Sequence, residues 1–352
     1  MTISISKNYT DKLFFDKGCT DMIKFVCCIM IAMHHYVQTY YKTSGSHNVF
    51  FDFFSSICGY LGVAVFFFLS GYGLMKSWQN KSLSFVTFLK RRLSKVYLPV
   101  VVISIIWGII LFFFASKFVL RPELSETLPA KNLLLGILSA FVLSCNDGAL
   151  WFIKVILILY LLFYSYVSIV FPHQITKKYK ANDCLAADCV NLSIGGGKCL
   201  IIIILLTTLV WVLLCWSMSV NFVISVPLFS IGILVAQFDS SVKRHFKVGM
   251  VLFMIAAVVS FAIFRHNAMF VHAWINYVAI AILISFSCLY DLTLKKCPAW
   301  LGNASFVVYL VHNKVKLVLF GLFHMPQWYV YLAVVGLVSF MFYFLIKTVK
   351  LI

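Results

Sequence analysis

Along most of this chain the polar positions come in short bursts between long apolar runs. They do not recur at the three-to-four-residue interval that gives a soluble helix one wet face. A run of about twenty mainly apolar residues can cross a bilayer as a helix. Ten such runs stand out, at 22–41, 51–75, 96–116, 149–170, 199–217, 221–238, 249–264, 269–290, 300–321 and 328–347. An eleventh, 132–145, is shorter and runs into Ser144-Cys-Asn-Asp-Gly148.

Basic residues decide how these runs are threaded. With the N-terminus inside and 132–145 not crossing, 20 Lys and Arg fall on the inner side and 5 on the outer side. Lys347, at the inner end of the last run, is counted inside, and the other four (Lys24, Lys154, Lys314, Lys316) sit within spans. Were 132–145 to cross, 11 basic residues would move outside. The excess of Lys and Arg in cytoplasmic loops therefore favours ten spans with both termini cytoplasmic. Run 132–145 is then a re-entrant or interfacial segment in an external loop. The expected architecture is an all-α integral membrane protein: a tail over 1–21, one transmembrane domain over 22–347, a tail over 348–352, and no soluble appendage. The polar stretch 171–198, with Gly195-Gly196-Gly197, reads as a cytoplasmic loop.

Composition agrees with that pattern. Hydrophobic residues make up 62% of the 352 and charged residues 11%, against about 25% charged in soluble domains. Mean hydropathy is +0.99. The first twenty residues are polar and Lys24 interrupts the first run, so no cleavable signal is expected. A net charge of +18 would suit a nucleic-acid partner if it formed a stripe, but it lies in short loops as topology demands, and nucleic acid is excluded. Most of the eleven cysteines, such as Cys27, Cys28, Cys58, Cys215 and Cys288, lie in apolar runs as small hydrophobes. Cys184 and Cys189 lack a second pair nearby, and the nine histidines lack carboxylates at ligand spacing, so no metal site is expected.

The polar residues inside the spans carry the chemistry, because ionisable groups are costly in hydrocarbon. Lys24 and His35 are eleven residues apart, almost three whole helical turns, so they share a face about 16.5 Å apart along the axis. A cation at the cytoplasmic mouth and an imidazole toward the outer half suit a polar path, and histidine exchanges protons near neutral pH. The alternatives are that Lys24 snorkels to headgroups and His35 bonds a neighbouring helix. His34, about 100° round the helix, is either a packing partner or the true base. Ser70-Gly71 closes a small-residue segment at the cytoplasmic end of the second run. Arg91, Arg92 and Lys95 follow, clustered to hold a polyphosphate if helical or simply setting topology. Ser305, Tyr309 and His312 recur at four and three residues and share one helix face.

Together these stretches resemble acyltransferase family 3, membrane proteins that O-acylate bacterial cell-surface glycans. The likeness rests on five stretches in order along nearly the whole chain. They are Lys24 with His35; Gly59 to Gly71; Arg91, Arg92 and Lys95 with Pro99; Trp151-Phe152; and Ser305, Phe306, Tyr309, Leu310 and His312. Lys95 stands where the family usually has Arg, Phe306 where it has Tyr, and Lys154, Lys314 and Lys316 lie outside its pattern. The resemblance implies a cytoplasmic acyl-CoA donor, most simply acetyl-CoA, held by Arg91, Arg92, Lys95 and Ser70. Lys24 would guard the inner mouth, and His35 would serve as general base or transient acyl carrier. Trp151, Ser305, Tyr309 and His312 would line the acceptor site, the acceptor being a lipid-linked or surface glycan. The expected location is a bacterial inner membrane, among lipid. A transporter using the same polar face as a relay is the alternative, although the two halves show no matching pair of Gly/Pro-broken spans. A helix-packing scaffold is the third reading, and it would be indifferent to loss of His35.

Overall fold

The computed structural model describes residues 15–117, 126–143, 150–171, 224–289, 298 and 300–348, and all regular structure among them is helical. Helix α1 spans Lys17–Ser44. Asn48 then starts α2, Val49–Phe53, by accepting a hydrogen bond from Phe50 N, the role such residues play at helix starts. A π-helical turn, Phe54–Cys58, leads into α3, Gly59–Asn80. After α4, Phe85–Arg92, a second π-helical turn, Leu93–Tyr97, opens into α5, Leu98–Phe114, with Pro99 at its start, where a missing N–H costs nothing. Short helices α6, Leu128–Lys131, and α7, Leu133–Phe141, precede α8, Leu150–Val170. Then come α9, Leu228–Gln237; α10, Asp239–Phe264; α11, Ala268–Leu289; α12, Leu301–Phe323; and α13, Trp328–Thr348.

Among the described residues seven helical stretches are long and apolar enough to cross a membrane: Val49–Asn80, Phe85–Lys117, Leu150–Val170, His245–Phe264, Phe270–Ser287, Leu301–Phe323 and Trp328–Thr348. Each matches one of the ten expected runs. Helix α1, at 28 residues, is long enough for an eighth but carries Asp21, Lys24, His34 and His35 and is less apolar than the seven. Run 221–238 differs from expectation. Its described part is a turn at 224–227 followed by the ten-residue α9, about 15 Å of helix and half a hydrocarbon core. Run 132–145 holds the nine-residue α7, which at about 13.5 Å is also too short to cross. The expected span 199–217, nearly all of 171–198 and most of both tails lie outside the described residues.

The chain divides into two compact units. The larger takes residues 25–62, 82–202 and 300–352. Within it, α4 docks on α8 through aromatic pairs, Phe85 with Tyr164 at 5.0 Å and Phe88 with Phe163 at 6.0 Å between ring centroids. Helices α5 and α12 share a cluster of Trp107, Leu111, Ala115 and Leu317. A Cβ on Gly136 would fall 2.6 Å from Pro129 Cα, so α6 and α7 can fold together this tightly only over glycine.

The smaller unit takes residues 1–24, 63–81 and 203–299. Its α3 and α9 cross backbone to backbone: a Cβ on Gly71 would lie 1.9 Å from Phe229 O, and one on Gly232 would lie 2.1 Å from Phe68 O. This reciprocal glycine contact is how membrane helices gain close packing when lipid and side chains are equally apolar. Polar bonds reinforce it, with Lys76 Nζ 2.5 Å from Asp239 Oδ2 and Gln79 Nε2 donating to Ala236 O at 3.2 Å. On α10 the side chains of Val251, Leu252, Ile255, Val258 and Ile263 are exposed, as lipid-facing positions should be.

Candidate functional site

The centre of the larger unit is built where α1 lies along α12. Cys28 Sγ donates to Ser305 O at 2.8 Å. Seven residues farther along both helices, His35 stacks on His312, ring centroids 5.3 Å apart and planes 23° from parallel. Beyond them Tyr36 meets Phe320 at 5.4 Å. Contacts that advance by seven residues on both helices mean the two run parallel in one register, the seam spacing of packed helices. Tyr331 of α13 clamps the pair, its hydroxyl shared between Ala32 O at 3.2 Å and His312 O at 3.3 Å.

The three histidines are held differently. His312 is 1% exposed, and its Nδ1 lies 2.6 Å from Tyr309 O. A carbonyl can only accept, so Nδ1 carries the proton and Nε2 is the basic nitrogen of the neutral ring. His34, 6% exposed, likewise donates from Nδ1 to Phe54 O at 3.0 Å, a carbonyl on the π-helical turn. Its ring lies against Gly59, where a Cβ would come within 2.4 Å. His34 is thus committed to holding α1 against the start of α3. His35 lies between them, half-buried, edge-on to His34 at 5.1 Å and stacked on His312.

The other side chains expected on this face of α12 are divided. Tyr309 is buried, 5.7 Å from the His312 ring and 5.3 Å from the ring of Phe152. Phe152 makes this contact, and Trp151 stands beside it at 6.2 Å. Ser305 is buried and its hydroxyl donates back to Gly302 O at 2.7 Å. One of the span lysines that lie outside the family's pattern joins this face. Lys316, 5% exposed, follows His312 by four residues and so continues the 305-309-312 face for another turn. It lies within electrostatic range of His34 and His35. A charge buried at membrane depth costs about 2.5–3.5 kcal/mol even by lenient scales. Lys314 is buried on another side of α12, with Nζ donating to Leu310 O at 2.9 Å. Its stem joins Ile103, Trp107, Ile110 and Phe342 in lining an apolar cavity of about 170 Å³. Lys154 is exposed.

The residues expected to hold the donor are divided between the two units. Arg92 turns inward, its guanidinium 5.5 Å from the Phe88 ring centroid and 5.6 Å from that of Tyr160. Arg91 and Lys95 are exposed. Between them the α-helix ends at Arg92 and the π-helical turn begins. Lys24 and Ser70 belong to the smaller unit. There Asp21 sits three residues before Lys24, and burial pushes its carboxyl above the usual carboxylate range, an effect Lys24 and Lys17 partly offset. Helix α1 runs unbroken from Lys24 to His35. Among the described residues no group of three or more His, Cys, Asp or Glu could hold a metal.

Neither curated proteins nor solved structures yield a match to the chain. A family model does: the acyltransferase family 3 domain, described as an acyltransferase domain, matches residues 18–348. That range contains both units' described helices and, within them, the paired histidines His35 and His312. A family match over nearly the whole length, on a chain with seven described helices long and apolar enough to span a membrane, makes this protein a member of acyltransferase family 3, a multi-pass membrane acyltransferase.

Proposed function

We propose that the protein is an O-acetyltransferase moving an acetyl group from cytoplasmic acetyl-CoA to a hydroxyl of a lipid-linked or surface glycan in a bacterial inner membrane. The observation that carries this is the stack of His35 on His312, two imidazoles in contact at membrane depth. Hydroxyls are weak nucleophiles at neutral pH, and a positioned imidazole supplies the missing base. His35 takes the acceptor's proton, or carries the acyl group briefly on nitrogen. Of the histidines on α1 it takes the reactive role because His34 is committed to Phe54 and Gly59. His312 orients and buffers the stack, its Nδ1 proton fixed by Tyr309 O. Arg91 and Lys95 contact the phosphates of the donor, while Arg92 braces the helix that presents them. Lys24 receives the donor at the inner mouth, and Tyr309, Trp151 and Ser305 border the acceptor. The donor is met from the cytoplasm and the acceptor from the outer side.

The test uses inside-out vesicles and acetyl-CoA labelled in the acetyl group, following label into protein, lipid-linked sugar and polymer. Wild type should transfer label and His35→Ala should not, with both inserted at equal levels. A transporter using the Lys24–His35 face as a relay would leave the thioester intact in both. Transfer by His35→Ala at the wild-type rate would remove His35 from the chemistry.

A further inference from the structure

A neutral imidazole has one N–H and one lone pair, and only the lone pair can take a proton. What the N–H bonds to therefore decides which ring nitrogen is the base. Two of the three histidines at the centre of the larger unit are set by backbone. His34 donates from Nδ1 to Phe54 O at 3.0 Å, and Nδ1 of His312 lies 2.6 Å from Tyr309 O. Among the described residues no backbone carbonyl is bonded to the His35 ring. It meets His34 edge-on, His312 face to face, and one hydrogen-bonding side chain, that of Gln38.

Helix geometry accounts for this contact. Gln38 follows His35 by three residues on the unbroken α1, about 4.5 Å along the axis and about 60° round it. Side chains on a helix lean toward its N-terminus, so a long one covers the turn before its own Cα, and here that turn carries His35. Thr39, the next residue, turns instead to the backbone, its hydroxyl donating to His35 O at 3.2 Å. Gln38 lies within the first apolar run, yet it is exposed. A polar side chain in that setting is costly and marks a functional position.

Resting on the acetyl-transfer reading above, we infer that Gln38 is a positioning residue for His35, whose amide oxygen accepts the N–H of one ring nitrogen and so keeps the other nitrogen free as the base. The amide has to present its oxygen. Its NH2, donated to the ring lone pair, would leave a proton on the nitrogen that must accept one. In the transfer the acceptor oxygen bonds to the thioester carbonyl carbon while its proton passes to the free ring nitrogen. When the carbon–sulfur bond breaks, the departing CoA sulfur takes that proton, and ester and free thiol result. Gln38 exchanges no proton. Its bond to the ring strengthens as the imidazolium forms, because one partner is then charged, and an interaction that is stronger in the transition state raises kcat.

The experiment compares wild type with Gln38→Leu, Gln38→Asn, Gln38→Glu and His35→Ala in inside-out vesicles that carry the cell's own acceptor, using acetyl-CoA labelled in the acetyl group. Partners that orient a metal-bound imidazole are worth about 10–100-fold. Gln38→Leu should lose kcat by that factor, with KM for acetyl-CoA changed by less than about threefold. Gln38→Asn, a methylene too short to reach the ring, should fall with it. Gln38→Glu keeps an acceptor oxygen at the same reach and should recover most of the rate. The thermal midpoint of Gln38→Leu should match wild type, since the position is exposed and Leu and Gln have similar helix propensity. Nitrogen-labelled histidine in lipid nanodiscs gives a readout apart from turnover. The His35 signal, identified by its loss in His35→Ala, should show one tautomer in wild type and a mixture in Gln38→Leu. Wild-type kcat in Gln38→Leu, equal losses in Gln38→Leu and Gln38→Glu, mixed tautomers in wild type, or absence of Gln38→Leu from the membrane each overturns the assignment, and the acetyl-transfer reading stands so long as His35→Ala alone abolishes transfer. If wild type and His35→Ala alike leave acetyl-CoA and succinyl-CoA untouched, that reading falls, and the assignment with it.

Discussion

Replacing Gly71 by alanine adds one methyl group to a helix, ordinarily a stabilising change. Alanine exceeds glycine in helix propensity by about 0.8–1.0 kcal/mol. At Gly71 the new Cβ would stand 1.9 Å from Phe229 O, well inside van der Waals contact. The obstacle is backbone within α9, so no side-chain rotation relieves it, and α3 and α9 must part by roughly 1.5 Å, from the ordinary contact distance of about 3.5 Å. Overpacking of this kind costs about 1–3 kcal/mol, which outweighs the propensity gain. Gly73, two residues along the same helix, has nothing within 4 Å of its would-be Cβ. Gly73→Ala should therefore raise the thermal midpoint of detergent-solubilised protein slightly, while Gly71→Ala lowers it. The opposite signs are the test, since a general effect of alanine would move both the same way. Gly232→Ala meets Phe68 O at 2.1 Å across the same crossing. Once the helices have parted for one methyl the second costs less, so the double variant should lose less than the two single losses combined. A Gly71→Ala protein as stable as Gly73→Ala would refute the close crossing.

Other consequences can be measured on the same preparation. His34→Ala should keep acetyl transfer within about tenfold of wild type yet lower the thermal midpoint, because it removes a buried hydrogen bond to Phe54 O worth about 0.5–1.5 kcal/mol; complete loss of transfer in a folded variant would shift the base to His34. Tyr331→Phe takes away the hydroxyl shared by Ala32 O and His312 O, so it should destabilise by about 1 kcal/mol and slow transfer without raising KM for acetyl-CoA. Arg91→Ala and Lys95→Ala should raise that KM and leave the thermal midpoint unchanged. Arg92→Ala should lower the midpoint through loss of its stacking on Phe88 and Tyr160, worth about 0.5–2 kcal/mol. Single cysteines at Asn146 should label from outside the cell in the ten-span threading, and labelling from the cytoplasm alone would reject it.

Length and apolarity determined most of the architecture before any tertiary information. In a bilayer a single apolar run can satisfy its own backbone only as a helix, and among the described residues seven of the ten expected runs are helices of spanning length. The eleven-residue interval from Lys24 to His35, and the four-and-three spacing of Ser305, Tyr309 and His312, were likewise legible, because α-helix fixes which residues share a face. What periodicity cannot say is which face meets which. Only packing decided that α1 and α12 run parallel in one register, bringing His35 onto His312 across 277 residues of sequence. Only packing committed His34 to Phe54 and Gly59, and showed Gly71 of the Ser70-Gly71 segment meeting a second glycine across a helix crossing. Arg92 reads identically to Arg91 in sequence, and one hundred degrees of helix rotation separates an exposed cation from one stacked on two rings. Local chemistry is written along the chain, but proximity between distant segments is settled by which surfaces fit, and that is a property of the folded whole.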